Sequence, residues 1–280
     1  MHVDTLAIVG VGLIGASIGQ SAKSRGIARQ VIGIGRNEQS LALARDQGAI
    51  DRFTLDLAEG VKEADLVVFC TPVDMIAHQV RLAALSCRPG TLLTDAGSTK
   101  ANIVRDVEGK LPAGIHFVGG HPLAGSEKRG PAAAVPDLFA GKVTIVTRTR
   151  HTDPDAFAKV SAFWTALGSD VRVLDPETHD MALAFTSHLP HLAASALAGL
   201  VPEPWRIFTA SGFRDTTRIA AGDPGLWSAI FRENALAMSD ALQKLARQID
   251  RYREAILDED NHQLIDLLTQ AKRVRDALGS

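Results

Sequence analysis

The feature of this sequence that most constrains its fold is a glycine-rich turn near the start of the chain. The stretch TLAIVGVGLIGASIG places Gly10, Gly12 and Gly15 in a G-x-G-x-x-G pattern, directly after an apolar β-rich run and at the start of a helical pattern. Glycines at this spacing permit a tight turn and let the helix pack closely on the preceding strand. The stretch therefore predicts the first strand, turn and helix of a βαβ unit.

The same turn predicts a dinucleotide-binding site. A helix N-terminus carries unpaired N–H groups and a partial positive charge, and both attract a pyrophosphate. We expect the cofactor to contact the glycine turn and the first residues of the helix, namely Gly10, Gly12, Leu13, Ile14 and Gly15.

Through about residue 174 the chain alternates short β-rich runs with helical patterns. The runs are TLAIVG, QVIGIGR, LVVFC, TLLTDAG, HFVGG, KVTIVT and VRVL. Such alternation is typical of a parallel sheet with helices on both faces. We predict an α/β fold in which residues 1–174 form a Rossmann-type, doubly wound, mainly parallel sheet.

From Asp175 onward the β-branched runs disappear and Ala/Leu-rich helical patterns replace them. Asp175 is the predicted N-cap of the first of these helices, Pro176 lies in its first turn, and Pro190 predicts a kink within it. We predict that residues 175–280 form a separate, all-α domain.

A later helix in this region carries a continuous apolar seam. Its residues follow one another at alternating spacings of four and three: Met238, Leu242, Leu245, Ile249, Tyr252 and Ile256. A period of about 3.5 residues suits either ordinary core packing or a helical dimer interface. A second amphipathic helix follows, with apolar residues from Leu264 to Leu278.

Composition limits the partners. The formal net charge of -2 provides no basic field for nucleic acid or for an acidic membrane surface. No apolar run reaches the roughly 18 residues of a membrane-spanning helix. Cys70 and Cys87 have no spacing typical of a disulfide framework or a zinc site. We expect a cytoplasmic protein that acts on small molecules, without nucleic acid, membrane or metal.

The end of the second predicted strand indicates which dinucleotide is bound. An NAD site normally has Asp or Glu there to accept hydrogen bonds from the ribose hydroxyls. In VIGIGRN, Gly35 takes that position and Arg36 follows. A guanidinium pairs well with a 2′-phosphate, and no carboxylate is present to repel it. This favours NADP, with NAD as the alternative; Arg36 as an ordinary solvated residue is the other interpretation.

Three further strand ends carry polar side chains that we expect to converge, because ligands in such sheets bind beyond the carboxyl ends of the strands. The candidates are Thr71 and Pro72, then Ser98, Thr99 and Lys100, then His121 and Glu127. His121 and Glu127 lie in VGGHPLAGSEKRG, which we predict to be a pliable loop beside a nicotinamide. Ser98 as a simple helix cap is the alternative.

Two clusters stand out in the helical region. His188 and His191 lie three residues apart in SHLPH, a spacing that metals use, but no third ligand is nearby, and hydrogen-bonded helix residues are the more ordinary outcome. Arg214, Asp215 and Arg218 lie within five positions. They form either a structural ion-pair cluster or a cationic grip on an acidic substrate.

Together the motifs GVGLIGASIG, CTP, TDAGSTK, GGHPLAGSEKRG, SHLPH and GFRDTTRIA resemble the signature of the prephenate/arogenate dehydrogenase family of tyrosine biosynthesis, in order from about residue 4 to 235. The resemblance implies a Rossmann-type domain, a helical domain that forms a homodimer, and a site between them. It implies an NAD(P)-dependent oxidative decarboxylation, in which hydride leaves C4 of the cyclohexadienyl ring and the ring carboxylate departs as CO2.

The resemblance also implies roles for residues at the matching positions. His121 would draw the proton off the ring 4-hydroxyl, Ser98 would orient that hydroxyl near the nicotinamide, and Arg218 would pair with a substrate carboxylate. The other residues implied to border or support the substrate are His191, Glu127, Asp215 and Trp227. No metal is needed, because aromatisation drives the loss of CO2.

Substrate choice and function keep alternatives at this point. Glu127 would attract the ammonium of arogenate, which favours arogenate over prephenate; a surface salt bridge with Lys128 or Arg129 is the plainer interpretation. A prephenate-specific enzyme is the alternative. A β-hydroxyacid dehydrogenase would need a helix lysine that residues 175–200 lack. A non-catalytic NADP-binding regulator would share the fold. Without a regulatory domain, we expect any feedback by tyrosine to act at the active site.

Overall fold

A computed structural model describes residues 2–125 and 128–279 of the chain. The chain forms two compact units, Met1–Asn234 and Ala235–Ser280. This division follows the packing of the chain. Four helices after residue 175, which the sequence assigns to the second domain, belong to the first unit. The boundary that the sequence suggests at residues 174/175 stays a prediction.

The first unit is built on a six-stranded sheet in the order β3-β2-β1-β4-β5-β6, and all neighbouring strands are parallel. Its strands are β1 (Val3–Val9), β2 (Ala28–Ile34), β3 (Arg52–Thr54), β4 (Leu66–Phe69), β5 (Leu92–Asp95) and β6 (His116–Val118). This confirms the predicted α/β, Rossmann-type sheet. The short strand β3 was not predicted, because RFT lacks an apolar run.

Helices cover both faces of this sheet. They are α1 (Leu13–Ser24), α2 (Glu38–Asp46), α3 (Leu57–Val61), α4 (Val73–Ala84), α5 (Ala101–Val107) and α6 (Pro154–Ala166). Alternate side chains of β1 enter different cores: Leu6 and Ile8 join one apolar cluster, and Ala7 and Val9 join the other. A strand buried on both faces explains why residues 6–9, LAIV, are all apolar.

A separate three-stranded sheet contains β7 (Gly120–Pro122), β8 (Val143–Thr147) and β9 (Asp170–Leu174). β7 is antiparallel to β8, with His121 opposite Ile145, and β8 is parallel to β9. The chain changes sheets between β6 and β7, where a Cβ on Gly120 would lie 2.8 Å from the backbone oxygen of Asp95. The prediction that His121 lies on a pliable loop is therefore wrong, because strand pairing with β8 fixes it.

The helical part of the first unit comprises α7 (Pro176–Leu183), α8 (Leu189–Gly199), α9 (Ser211–Thr217) and α10 (Pro224–Glu233). The Asp175 side chain accepts a hydrogen bond from the Thr178 N–H at 2.8 Å, which confirms the predicted N-cap. A π-helical turn, Ala184–His188, joins α7 to α8 directly before Pro190. The predicted irregularity at this proline takes that form, since proline cannot donate the backbone bond of a regular helix.

The second unit consists of α11 (Ala235–Leu257) and α12 (Asn261–Ala277), and the Asp260 side chain caps α12. All six residues of the predicted apolar seam lie on α11, which confirms the helix. Ile249 and Ile256 of that seam remain 56% and 60% exposed in the single chain. In the described part of the chain, no helix combines the length and the apolar character needed to cross a bilayer.

We expect Asp175→Ala to lower the free energy of unfolding by about 1 kcal/mol, the usual value of a lost N-cap, because the Thr178 N–H loses its acceptor. Urea denaturation at neutral pH measures this. Asp175→Asn is the matched control, since its amide oxygen still accepts the bond. Equal losses in both variants would contradict the capping role.

Candidate active site

A cavity of about 350 Å³ opens at the carboxyl ends of β1, β2 and β4. Five of the predicted cofactor residues line it: Gly10, Gly12, Arg36, Thr71 and Pro72. Leu13, Ile14, Gly15 and Ser98, the other predicted cofactor residues, do not line this cavity; the first three form the first turn of α1, and Ser98 lies on the loop after β5. This edge of the sheet is where doubly wound folds bind ligands.

The three glycines of the motif serve different purposes. Gly10 has φ +92°, and a Cβ there would lie 2.8 Å from the backbone oxygen of Cys70. A Cβ on Gly15 would collide with the carbonyl oxygen of Gly10. Gly12 is the N-cap of α1 and faces open space, so no side chain blocks access to the first helical N–H groups. This geometry fits the pyrophosphate of a dinucleotide.

The far end of the cavity is built from the chain between β2 and α2. Arg36 is exposed there, and Asn37 caps α2 by accepting from the Ser40 N–H at 2.9 Å. Gly35, Asn37 and Ser40 also line the cavity. A cation, polar side chains and a helix N-terminus therefore surround the position where the adenosine ribose of a dinucleotide lies in this fold.

His121 is 8% exposed and belongs to a buried chain of hydrogen bonds. Its Nδ1 lies 2.9 Å from Nε2 of His179, and Nδ1 of His179 lies 2.8 Å from Oδ1 of Asp180. The Asp180 carboxylate also accepts from the backbone N–H groups of Lys100 at 2.7 Å and Ala101 at 2.9 Å. These hydrogen bonds thus link β7, through α7, to the start of α5.

A buried ion pair lies beside these histidines. The Lys100 ammonium contacts the Asp95 carboxylate, and both side chains are fully buried. Asp95 also accepts from the backbone N–H groups of Gly97 at 2.9 Å and Gly120 at 3.1 Å. One carboxylate therefore ties the strand of His121 to the loop that carries Ser98, which is itself partly exposed.

This environment keeps His121 in its neutral form. Burial lowers the pKa of His121 well below its ordinary value, and the nearby His179, Lys100 and His188 lower it further. Burial also lowers the pKa of His179. A neutral imidazole has one unprotonated ring nitrogen, so His121 has the chemistry of a general base at neutral pH.

A second cavity, of about 520 Å³, lies between the glycine-rich segment after β7 and the helical region. His191, Arg218 and Trp227 line it together with Lys128 and Arg129. The rings of His191 and Trp227 stack with centroids 3.6 Å apart. The cavity combines an aromatic wall with cations, which suits a cyclic acid.

Other candidates fall elsewhere. Asp215 is exposed on α9 and is not among the residues lining this cavity, so its expected supporting role stays a prediction. Glu127 lies outside the described residues. His188 forms a hydrogen bond, with its Nδ1 3.1 Å from Nδ2 of Asn234.

Sequence reasoning missed His179, Asp180 and Asp95. His179 and Asp180 are 58 and 59 positions after His121, so no local motif links them. Their one signal is a polar pair in the first helix of the Ala/Leu-rich region, four and five residues after the N-cap Asp175 and on the side that is buried. Asp95 ends an apolar strand, where a buried acid implies a partner.

A dinucleotide cleft at the strand ends of a parallel sheet, with a buried neutral histidine nearby, defines a pyridine-nucleotide-dependent dehydrogenase. The chain belongs to the prephenate dehydrogenase family, the oxidoreductases of tyrosine biosynthesis. Residues 18–173 match that family's nucleotide-binding domain, and residues 175–270 match its dimerization domain.

Individual relatives support the same family. The cyclohexadienyl dehydrogenase of Zymomonas mobilis is 34% identical over 280 residues, which cover 98% of this chain and 95% of that protein. The crystal structure of Aquifex aeolicus prephenate dehydrogenase with hydroxyphenyl propionate and NAD+ has a TM-score of 0.91 at 31% identity and covers 99% of both chains. Synechocystis arogenate dehydrogenase has a TM-score of 0.81 at 28% identity and covers 98% of this chain and 99% of its own.

Burial of His188 makes stability depend on pH. Burial lowers its pKa from 6.5 to about 4. Between these values the unfolded chain binds a proton that the folded chain does not, so stability falls as the pH falls. We expect His188 alone to remove about 1.5 kcal/mol of unfolding free energy between pH 6.5 and pH 5.

Urea denaturation at several pH values between 7 and 5 measures this loss. In His188→Asn, the loss on acidification should be smaller by about that amount, because the titrating group is gone. His78→Asn, which changes an exposed histidine on α4, is the control and should behave like the unmodified protein. An unchanged pH dependence in His188→Asn would contradict the prediction.

Proposed function

We propose that this chain catalyses the NADP-dependent oxidative decarboxylation of L-arogenate, with prephenate as the alternative substrate. The observation that carries the proposal is the buried, neutral His121, held by Asp95 and His179 near the cofactor edge of the sheet. Family membership supplies the reaction class. The Aquifex aeolicus relative is described with a phenolic acid and NAD+, which supports a ring substrate beside a dinucleotide.

In the proposed reaction His121 takes up one proton from the substrate and returns one proton to the product, so the residue ends unchanged. Bound NADP+ supplies the acceptor for the hydride that leaves ring C4. His121 accepts the proton of the 4-hydroxyl as that carbon becomes a carbonyl. The bond from the ring to its carboxylate then breaks, CO2 leaves, and its electron pair completes the aromatic ring. His121 returns the proton to the phenolate oxygen.

The residues of the second cavity support binding of the substrate in this proposal. Arg218 pairs with a carboxylate, because its guanidinium offers two parallel donors to two oxygens. His191 and Trp227 form a flat wall for the ring and its side chain. Ser98 orients the 4-hydroxyl from the loop after β5, which Asp95 holds in register with His121. Asp215 supports the helical side, near Arg218 in sequence.

We expect His121→Asn to lower kcat by roughly 10²-fold or more, as loss of a general base does, with the KM values for substrate and cofactor largely kept. The absorbance of reduced cofactor, with arogenate and with prephenate, measures the rate. His262→Asn, whose side chain is 91% exposed, is the control and should keep full activity. Full activity in His121→Asn would move the base to another residue.

The cofactor preference rests on the end of β2. Gly35 brings no carboxylate, and Arg36, Asn37 and Ser40 give the cavity one cation and two neutral polar groups. These groups suit a 2′-phosphate better than a ribose hydroxyl pair. The family and its NAD+-bound relative support a pyridine nucleotide in this cavity, and the choice of NADP over NAD is our proposal.

Arg36→Ala should raise the KM for NADP by the equivalent of about 1 to 3 kcal/mol and leave the KM for NAD nearly unchanged, because only NADP carries the phosphate. Steady-state kinetics with both cofactors measures this. Arg29→Ala removes an exposed arginine at the opposite end of β2 and should alter neither value. An unmodified enzyme that prefers NAD would overturn the proposal.

The preference for arogenate rests on charge. Arogenate carries an ammonium where prephenate carries a keto group, and Glu127 follows His121 by six positions. Of its two basic neighbours in sequence, Arg129 is paired with Asp223 at 2.5 Å. Because Arg129 is paired with Asp223, we infer that it does not neutralise the charge of Glu127. The Synechocystis relative is an arogenate dehydrogenase, and the Zymomonas mobilis relative is a cyclohexadienyl dehydrogenase.

We expect the ratio of kcat/KM for arogenate over prephenate to exceed one and to fall in Glu127→Gln, since a partly desolvated charge contact is worth about 1 to 3 kcal/mol. Steady-state assays with both substrates measure the ratio. Glu203→Gln, in an exposed 3₁₀ turn, is the charge-matched control. An unchanged ratio in Glu127→Gln removes that residue from the discrimination, and an enzyme that uses prephenate alone overturns the substrate proposal.

We also propose that the protein acts as a homodimer through its helical region. Residues 175–270 match a domain described as a dimerization domain. Large apolar side chains in the segment after α8 are exposed in the single chain: Leu200 by 76%, Trp205 by 63%, Ile207 by 82% and Phe208 by 75%. An exposed apolar patch of this kind is typical of a protein interface.

A further inference from the structure

The hydrogen-bond chain behind His121 has a direction that its donors and acceptors determine. The Asp180 carboxylate receives three donors at its two oxygens: the N–H groups of Lys100 and Ala101 and the ring of His179. A carboxylate surrounded in this way only accepts. Nδ1 of His179 therefore carries the proton that it donates to Asp180.

The direction continues to His121. Burial lowers the pKa of His179, so its ring is neutral and carries a single N–H. With that proton on Nδ1, Nε2 of His179 is an acceptor. It lies 2.9 Å from Nδ1 of His121, so that nitrogen must donate. A neutral His121 is then left with an unprotonated Nε2, which is the nitrogen of a general base.

We propose that His179 and Asp180 are positioning residues, which hold His121 in the one tautomer whose Nε2 accepts the substrate proton. The proposal rests on the proposed role of His121 as the base. Neither positioning residue needs to touch the substrate. Their contribution is the fixed orientation and tautomer of the imidazole, which a histidine without an oriented partner does not have.

The surroundings of His179 and Asp180 suit a positioning role. His179 is completely buried and Asp180 is 4% exposed, so water does not compete for these bonds. Asn234 donates to the backbone oxygen of Asp180 at 2.7 Å, which holds the residue from a second side. When His121 takes up a proton, its Nδ1–H bond to His179 becomes charge-assisted, and the Asp180 carboxylate lies behind it to balance the charge.

The same bonds would also exist if the pair did no more than dock α7 onto α5. A docking role predicts lower stability when either side chain is changed, with His121 unaltered. A positioning role predicts a change in the tautomer of His121 itself. The two roles therefore differ in a spectroscopic signature that does not depend on catalysis.

The experiment compares the full-length protein with His179→Phe and Asp180→Asn. The ¹⁵N NMR signals of labelled histidine distinguish protonated from unprotonated ring nitrogens, and His121→Asn identifies the signals of His121. Ser169→Ala is the structural control, because it removes a buried hydrogen bond, 2.8 Å long, between Thr144 of β8 and the residue that precedes β9. Thermal unfolding and steady-state kinetics complete the set.

In the unmodified protein we expect a protonated Nδ1 and an unprotonated Nε2 on His121. His179→Phe should give a mixture of tautomers and lower kcat at least about 10-fold, a part of the roughly 10² to 10⁴ that a general base contributes, with KM within about threefold. Asp180→Asn should also weaken the preference of His121 for the tautomer with a protonated Nδ1. An amide nitrogen turned toward His179 donates to that ring and so reverses the direction of the hydrogen bonds. Ser169→Ala should lose stability while kcat and the His121 signals stay unchanged.

Unchanged His121 signals in both folded variants would overturn the proposal, as would a fixed tautomer with Nε2 protonated in the unmodified protein. If His179→Phe does not fold, Asp180→Asn decides on the same signals. Failure of the proposed function looks different: His121→Asn would then keep full activity, whatever the tautomer of His121 in the unmodified protein.

Discussion

The geometry of the candidate site depends on one carboxylate, that of Asp95 at the end of β5. It accepts from the N–H groups of Gly97 and Gly120 and pairs with the buried Lys100 ammonium. It thereby joins the Ser98 loop, the His121 strand and the start of α5. A buried pair of this kind contributes little net stability compared with apolar packing, but either partner alone is a buried, uncompensated charge. The three segments therefore keep one arrangement.

In the proposed function, proton transfer by the neutral His121 and binding of the substrate carboxylates are separate tasks. Burial and the charge of Lys100 keep the imidazole of His121 uncharged, so it does not compete for the substrate carboxylates. In the proposed function that attraction comes from Arg218, which lines the cavity beside Trp227. Proton transfer and anion binding are thus assigned to different residues, and each can be arranged without disturbing the other.

The sequence predicted the elements whose signals are local. The apolar runs of β1 and β4, the glycine turn before α1 and the cap at Asp175 depend on neighbours within a few positions, and all are present. What it missed depends on distant partners. β7 has three residues and exists because β8 pairs with it, and His179 meets His121 across 58 positions. No spacing rule captures such contacts.

The crossover from β6 to β7 also limits which substitutions this protein can accept. At Gly120 a Cβ would meet the backbone of Asp95 and the indole nitrogen of Trp164, both at 2.8 Å. Any side chain there requires a shift of the strand that holds His121, of Asp95 or of Trp164, so only glycine fits this position without rearrangement. In the proposed function the substrate instead contacts side chains around Lys128, Arg218 and Leu226, which border open space. The proposed base is thus held by backbone that accepts no added side chain, whereas the proposed substrate contacts come from side chains that substitution can exchange.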